Sequence, residues 1–369
     1  MLEHLEGEPA LAVDTESNSL YVYQERVCLI QISVPGVDYL VDPFALHDLS
    51  GLGPFLADPR VLKVLHGAEY DLSVLHRDFG FTLANLFDTM WASRILGWPA
   101  HGLGDLLQQE FGVSLNKKYQ RANWGLRPLP PAQLDYARLD THYLLALQEI
   151  QARELATTGR WPQARHRFGR LVEIRWESKA FDPEGFWRLP GVRDMDDTGR
   201  GVLRQLYLYR EERARLENRP PFRVISNRAL LSLAEQRPHN RRELPNVKGI
   251  SEGMARRYGQ GLLNAIQRGK DHPLAWSDRP RVGNNNSARP NGRPAPAAQA
   301  RFEALRQWRN AKAQERGVEP DIVLNNQALW AIALRHPRSR QELSGDGLLA
   351  RWPVDEYGDE LLAVVASAH

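Results

Sequence analysis

One cysteine is all the thiol this chain of 369 residues has. Cys28, inside the apolar run Val27–Ile32, can close no internal disulfide and build no cysteine metal cage, so it reads as a buried strand residue. Long apolar runs are also lacking. No stretch approaches the ~20 residues of a membrane-spanning helix, and no signal peptide opens the chain, so we expect a cytoplasmic protein with no membrane partner. Net charge is nearly absent too, at +3, but it is unevenly spread. Residues 1–150 carry 10 Lys/Arg against 19 Asp/Glu, residues 151–280 carry 26 against 16, and residues 281–369 carry 12 against 10. A basic middle between less basic flanks suggests a polyanion held by the middle of the chain. The length itself predicts two or three domains.

What is present in abundance is carboxylate in three informative places. Asp14 and Glu16 close the apolar strand Ala10–Val13, and residues i and i+2 of a strand share a face. Asp71 opens an amphipathic helix after the strand around Val61–Leu65. Tyr136 and Asp140 are four apart on a helix and share its face. Carboxylates gathered in one cleft repel each other and raise each other's pKa. Hard cations with oxygen ligands, Mg²⁺ or Mn²⁺, resolve that conflict. Two such ions about 3.5–4 Å apart are the apparatus of phosphoryl transfer. Each acid taken alone reads as an ordinary surface or capping residue; Asp71, for instance, suits a helix N-terminus. The three clusters together point to a nuclease.

The motifs Val13-Asp14-Thr15-Glu16, Leu65-His66-Gly67-Ala68-Glu69-Tyr70-Asp71-Leu72 and Tyr136-Ala137-Arg138-Leu139-Asp140 stand in order along the chain, the third preceded by Trp124-Gly125-Leu126-Arg127-Pro128-Leu129. In these residues the sequence resembles the DEDD 3′→5′ exonucleases, in the subgroup with a tyrosine in the third motif, and among them the ribonuclease D family. The resemblance extends over essentially the whole chain. It implies an α/β ribonuclease H-like exonuclease domain, a mixed sheet flanked by helices, followed by two small all-α HRDC-like domains. It also implies metal ligation by Asp14, Glu16, Asp71 and Asp140, with Asp14 bridging two ions, and a Tyr136 that positions the attacking water. A tyrosine of pKa near ~10 is a poor base at neutral pH, so positioning suits it better than proton abstraction. Members of the family carry a segment before the first catalytic strand; here only Met1–Glu8 precede it.

Hydrophobic periodicity predicts strands over Ala10–Asp14, Val27–Ser33, Val37–Val41, Leu62–His66 and Leu86–Asp88. Helices are predicted over Tyr70–Phe79, Thr89–Leu96, Leu103–Phe111 and Pro131–Glu154. Beyond Ala156 the pattern is helical and rich in arginine. Val224, Asn227, Leu230, Ala234, Pro238, Glu243, Leu244, Tyr258, Gly259 and Leu262 recur 99 residues later, which reads as an internal duplication. Leu-Arg-Gln at 203–205 returns at 305–307, implying three extra residues in the first copy. We therefore expect an exonuclease domain with a helical extension over 1–195, a first HRDC-like domain over 198–272, a flexible linker over 273–297 and a second HRDC-like domain over 298–369.

Other residues invite weaker assignments. His66 reads as a hydrogen-bonded strand end and Asp88 as the cap of the helix starting near Thr89. Lys117, Lys118, Arg121, Trp124 and Arg127 mix cations with an aromatic before the third motif; Trp124 reads as packing, Lys118 and Arg121 as nucleic-acid contacts. In the first repeat Lys248, Arg256 and Arg257 are further candidates, and Val247–Ser251 is either a phosphate-binding glycine turn or a plain helix cap. The equivalents of Arg256 and Arg257 in the second repeat are Asp355 and Glu356, and Lys248 becomes Gly347. So the first copy is expected to bind RNA and the second to serve another purpose. The expected activity is removal of nucleotides from RNA 3′ ends, with tRNA precursors and other small structured RNAs as substrates and nucleoside 5′-monophosphates as products. The protein is expected to act as a monomer on RNA with a free 3′ end, using two divalent metal ions. A DNA 3′→5′ exonuclease would need the same carboxylates. A non-catalytic binding protein on the same scaffold would be expected to have lost one, and none is missing.

Overall fold

The structure is a computed structural model that describes residues 1–178, 180–280 and 294–368. Five strands form one mixed sheet: β1 (Ala10–Ser17), β2 (Val27–Val34), β3 (Val37–Val41), β4 (Leu62–Leu65) and β5 (Leu86–Asp88). Their spatial order is β3-β2-β1-β4-β5. β4 pairs parallel with β1, Ala10 facing Leu62, and β5 parallel with β4, Leu65 facing Asp88; β3 is antiparallel to β2. The near-continuous apolar runs of β1 and β2 follow from this, since both strands are covered on two faces. All eight residues of β2 are buried. β1 outruns its prediction, continuing through Glu16 to Ser17. The expectation of a mixed sheet flanked by helices followed by helical domains is met.

The helices that accompany the sheet and position the site are α1 (Glu69–Phe79), α2 (Thr89–Leu96), α3 (Leu103–Phe111), α4 (Pro131–His142), α5 (Leu144–Thr157) and α6 (Trp161–Leu171); α7 (Asp197–Leu216) begins the first repeat. Glycines Gly80, Gly97 and Gly112 end α1, α2 and α3 in left-handed conformation, which is why those boundaries were readable. The single helix expected over Pro131–Glu154 is instead two, α4 and α5, divided at Tyr143 (φ −97°, ψ −4°). Neither glycine nor proline announces that break. The short start also acquires structure: Leu2–Leu5 is one helical turn, and Leu5 is fully buried in the main core.

The first repeat continues with α8 (Asn227–Gln236) and α9 (Glu252–Asp271); the second comprises α10 (Pro296–Arg316), α11 (Asn326–Arg335) and α12 (Arg351–Ser367). The structure corrects the three-residue insertion. Arg210 and Arg309, 99 apart, are both buried. Arg210 donates to Ile225 O and Asn227 Oδ1, and Arg309 to Leu324 O and Asn326 Oδ1. The offset of 99 thus already holds in the first helix of each copy, and the Leu-Arg-Gln match is out of register. Arg237 and His336 end α8 and α11 in the same left-handed conformation, again 99 apart.

The chain forms two compact units. One contains Met1–Glu16, Val27–Trp176 and the second repeat; the other contains Ser17–Arg26 and the chain from Glu177 through the first repeat. Within the first unit, Ile322 of the second repeat belongs to the core of the sheet domain. Gln163 Nε2 donates to Ile322 O at 2.7 Å, and Arg160 Nη2 to Arg316 O at 2.7 Å. Gly97 approaches so closely that a Cβ there would stand 2.1 Å from Gly317 O. Within the second unit, Tyr23 N donates to Asn218 Oδ1, and the Tyr23 hydroxyl to Glu211. Of the segment read as a flexible linker, Leu274–Trp276 are half-buried: Leu274 N donates to Asp197 O, and Trp276 meets Trp187 edge-on. Pro296 begins α10, and residues 281–293 lie outside the described residues.

Candidate active site

The sheet sends the first two motifs to one place, and α4, packed on β2 and β3, brings the third. β1, β4 and β5 run parallel, and their carboxyl ends carry Asp14 and Glu16, then His66, then Asp88. Ligands of open α/β sheets sit outside such ends. A cleft of about 380 Å³ opens there. Asp14, Glu16, Tyr136 and Asp140 line it, with Lys117 and Gln120 from the loop before the third motif and Leu103 and Asp105 from the start of α3. Asp71 is buried at the wall, where Thr15 Oγ1 donates to its Oδ1 at 2.5 Å.

Burial and mutual repulsion govern the electrostatics. Burial pushes the Asp14 carboxyl well up, with Asp71, Asp140 and Glu16 adding to the push. Glu16 rises to about 9 through burial and then through Asp140 and Asp71. Asp71 rises to about 7 by burial, against the pull of the Thr15 hydroxyl. Asp140 rises to about 7 for the same first reason, moderated by its hydrogen bond with Tyr136. Burial and the three carboxylates Asp140, Glu16 and Asp14 drive the Tyr136 hydroxyl far above its ordinary value, while Gln120 hydrogen-bonds to it. Four acids that hold each other's protons are short of positive charge. Among the described residues no three acidic, imidazole or thiol groups already meet tightly enough to grip one ion. The donor set is nonetheless all oxygen and suits a hard divalent cation in an open site.

The remaining candidates sort themselves by their partners. His66 lines the cleft, but its Nδ1 is 2.9 Å from Thr89 Oγ1 and burial lowers its pKa to about 4. Asp88 caps α2 through Trp91 N, and it also accepts from Gly67 N and Ala68 N, so it pins the second motif's loop. Trp124 is buried against Tyr136, Ala137, Cys28 and Leu29. Arg127 is not available to phosphate: it donates to both oxygens of Asp42 and to the carbonyls of Cys28, Trp124 and Leu126. Lys117, rather than Lys118 or Arg121, lines the cleft; the Lys118 ammonium lies 5.6 Å from the Tyr119 ring centroid.

In the first repeat Lys248 and Arg256 are exposed, whereas Arg257 is bound to Glu217 at 2.6 Å. The Val247–Ser251 turn has the helix-cap form, with Ser251 accepting from Met254 N and Gly249 at φ +93° against Ala229. Asp88 takes the capping role read for it, whereas Thr15 and Gln120 were missing from the sequence-derived site. Thr15 alone carried a signal, as a polar residue held between two motif acids on a buried strand.

Comparison with known proteins agrees with this geometry. The profile of a 3′-5′ exonuclease domain matches residues 1–156, and that of the HRDC domain matches residues 200–266 and 298–365. The catalytic core of RRP6 from Trypanosoma brucei superimposes with a TM-score of 0.65 and 30% identity, over 73% of this chain and 76% of that one. The chain belongs to the 3′-5′ exonuclease family of ribonuclease D and RRP6. Ribonuclease D of Gluconacetobacter diazotrophicus is 29% identical over 99% of this chain and 89% of its own length. Protein RRP6-like 1 of Arabidopsis thaliana is 32% identical over 74% of this chain, which spans 45% of the plant protein.

Proposed function

We propose that this protein is a metal-dependent 3′→5′ exoribonuclease that trims RNA 3′ ends, tRNA precursors and other small structured RNAs among them, and releases nucleoside 5′-monophosphates. The observation that carries the reading is the meeting of Asp14, Glu16, Tyr136 and Asp140 in one cleft with Asp71 at its wall. Asp14, Glu16, Asp71 and Asp140 would hold two divalent ions, Mg²⁺ or Mn²⁺. Such ions supply Lewis-acid activation of water and stabilise a leaving oxygen. The protein's own part is placement. Tyr136, with a pKa too high to act as a base, offers its hydroxyl as an orienting hydrogen-bond partner for the attacking water. Gln120 and Asp140 hold that hydroxyl. Lys117 attracts the phosphate, and Leu103 and Leu115 give the terminal base apolar walls.

End-labelled RNA and sequence-matched DNA, digested with Mg²⁺ and with chelator, test the reading. Stepwise shortening of RNA from its 3′ end, stopped by chelator, is expected. Equal or faster loss of DNA would move the assignment to a DNA exonuclease, and cutting of circular RNA would make the protein an endonuclease.

A further inference from the structure

Glu69 opens α1 two residues before Asp71, and its carboxylate is held from outside that helix. Its Oε1 accepts from Trp91 Nε1 at 2.8 Å and from Arg167 Nη2 at 2.9 Å. The Arg167 guanidinium stands over the Trp91 ring, 3.5 Å from its centroid. Arg94 stands over the same ring at 4.6 Å. Arg94 in turn grips two acids of the second repeat, Glu319 at 2.6 Å and Asp321 at 2.7 Å. An unbroken set of contacts therefore runs from the second repeat to the first turn of the helix that carries Asp71.

We propose that this set is a positioning device: the second repeat, through Arg94 and Trp91, fixes Glu69 and with it the place of Asp71 in the catalytic cleft. The first turn of a helix has backbone N–H groups with no partner inside the helix, so its placement depends on outside contacts. Here Ala68, the residue preceding α1, provides no side-chain cap. Two carboxylates hold this turn from outside the helix. Asp88 takes the N–H groups of Gly67 and Ala68 on one side of the turn, and Glu69 takes Trp91 and Arg167. A simple exposed ion pair would contribute little. This one includes an indole donor, a guanidinium stacked on that indole and an Arg94 side chain only 18% exposed, bound to two acids. Tolerances in such sites are narrow: a shift of about 1 Å in a reacting group costs about a hundredfold in rate.

The activity arm of the test rests on the exonuclease reading; a second arm does not. Three variants are compared with the parent: Glu69→Ala, Glu69→Gln, and the pair Glu319→Gln/Asp321→Asn. The measurements are kcat and KM on a short RNA, and calorimetric titration with Mn²⁺ in the absence of RNA. Glu69→Ala is expected to lower kcat by about ten- to a hundredfold with KM changed less than about twofold, and to weaken Mn²⁺ binding. Glu69→Gln keeps an acceptor for Trp91, so it should recover part of both. The acid pair should lower kcat less, and adding it to Glu69→Ala should cost nothing more, because both cut one connection. Additive losses, or a raised KM with kcat unchanged, would overturn the proposal. Should Glu69→Ala not fold, the half-exposed acid pair decides: reduced kcat at an unchanged Tm supports the device, and unchanged kcat overturns it. A parent that binds Mn²⁺ yet cuts no RNA defeats the exonuclease reading alone; the device then stands or falls on whether the variants bind Mn²⁺ more weakly or equally well.

Discussion

Tyr136 and the acids around it trade stability for chemistry. With its hydroxyl pKa driven up by burial and three carboxylates, Tyr136 is suited to hydrogen bonding rather than to proton abstraction. Tyr136→Phe should lower the single-turnover rate strongly while leaving the Kd for RNA nearly unchanged, since the lost contact acts on the attacking water; a raised Kd with an unchanged chemical step would reassign it to substrate binding. The acids make a second prediction. Their folded pKa values, about 7 for Asp71 and Asp140 and about 9 for Glu16, lie above the ordinary 3.8 and 4.5. A carboxyl whose pKa is raised by folding contributes stability fully present below its unfolded value and lost as pH rises through its folded value. In chelator, therefore, Tm should fall between about pH 6 and pH 9. Mg²⁺ should raise Tm more at pH 9 than at pH 6, because at the lower pH protons compete for the same oxygens. Asp14→Asn removes one member of the repulsive set. It should abolish turnover without lowering Tm in chelator at pH 8, and scanning calorimetry beside an activity assay reads both outcomes.

At the scale of elements, legibility followed local signals. α2 and α3 were readable to the residue because Gly97 and Gly112 stop them, and β3 because a short run rich in β-formers sits between Pro35-Gly36 and Asp42-Pro43. The acids of motifs one and three could be placed on one cleft because periods of two and four fix which residues share a face. What stayed hidden was long-range. The break at Tyr143 has no breaker residue, and Glu69 looks like any acid in a first turn until Trp91 and Arg167 arrive from 22 and 98 residues away. The role of Arg127 was hidden for the same reason: a cation beside a tryptophan is as apt for a phosphate contact as for a structural tie. Its fork instead ties the loop after Trp124 to Asp42 and to the carbonyl of Cys28 on β2. Arg127→Lys keeps the charge and loses the fork. It should cost roughly 2–3 kcal/mol of stability, since several carbonyls lose a charge-assisted donor. It should also lower kcat, because the same loop carries Gln120 and packs Trp124 on Tyr136. Urea denaturation and steady-state kinetics on one preparation test both effects.

For the whole molecule, the duplication has produced two modules with different surroundings. The second copy is part of the catalytic unit: Ile322 completes the sheet domain's core, and its own cations engage several of its acids, Arg340 with Asp359, Arg351 with Asp355 and Lys312 with Glu360. Removing residues 298–369 would expose the surface around Ile322 and should lower the Tm of the catalytic unit. The first copy, in the other unit, keeps Lys248 and Arg256 exposed, and Arg256 has no ion pair among the described residues; Arg257 serves Glu217 instead. RNA binding by this copy should therefore rest on Lys248 and Arg256 more than on Arg257. Each phosphate contact releases counterions, so the logarithm of affinity falls with the logarithm of salt by roughly 0.7 per contact on a single strand. Lys248→Glu/Arg256→Glu should raise the KM for RNA and flatten that slope by roughly 1.4, two contacts' worth, with kcat unchanged at saturating RNA. Arg257→Glu alone should instead lower Tm, through the loss of its partner Glu217. Binding isotherms at four salt concentrations decide the matter: a slope unaltered by the double reversal would remove the first repeat from the RNA path and leave the cleft's own cation, Lys117, to draw in the strand.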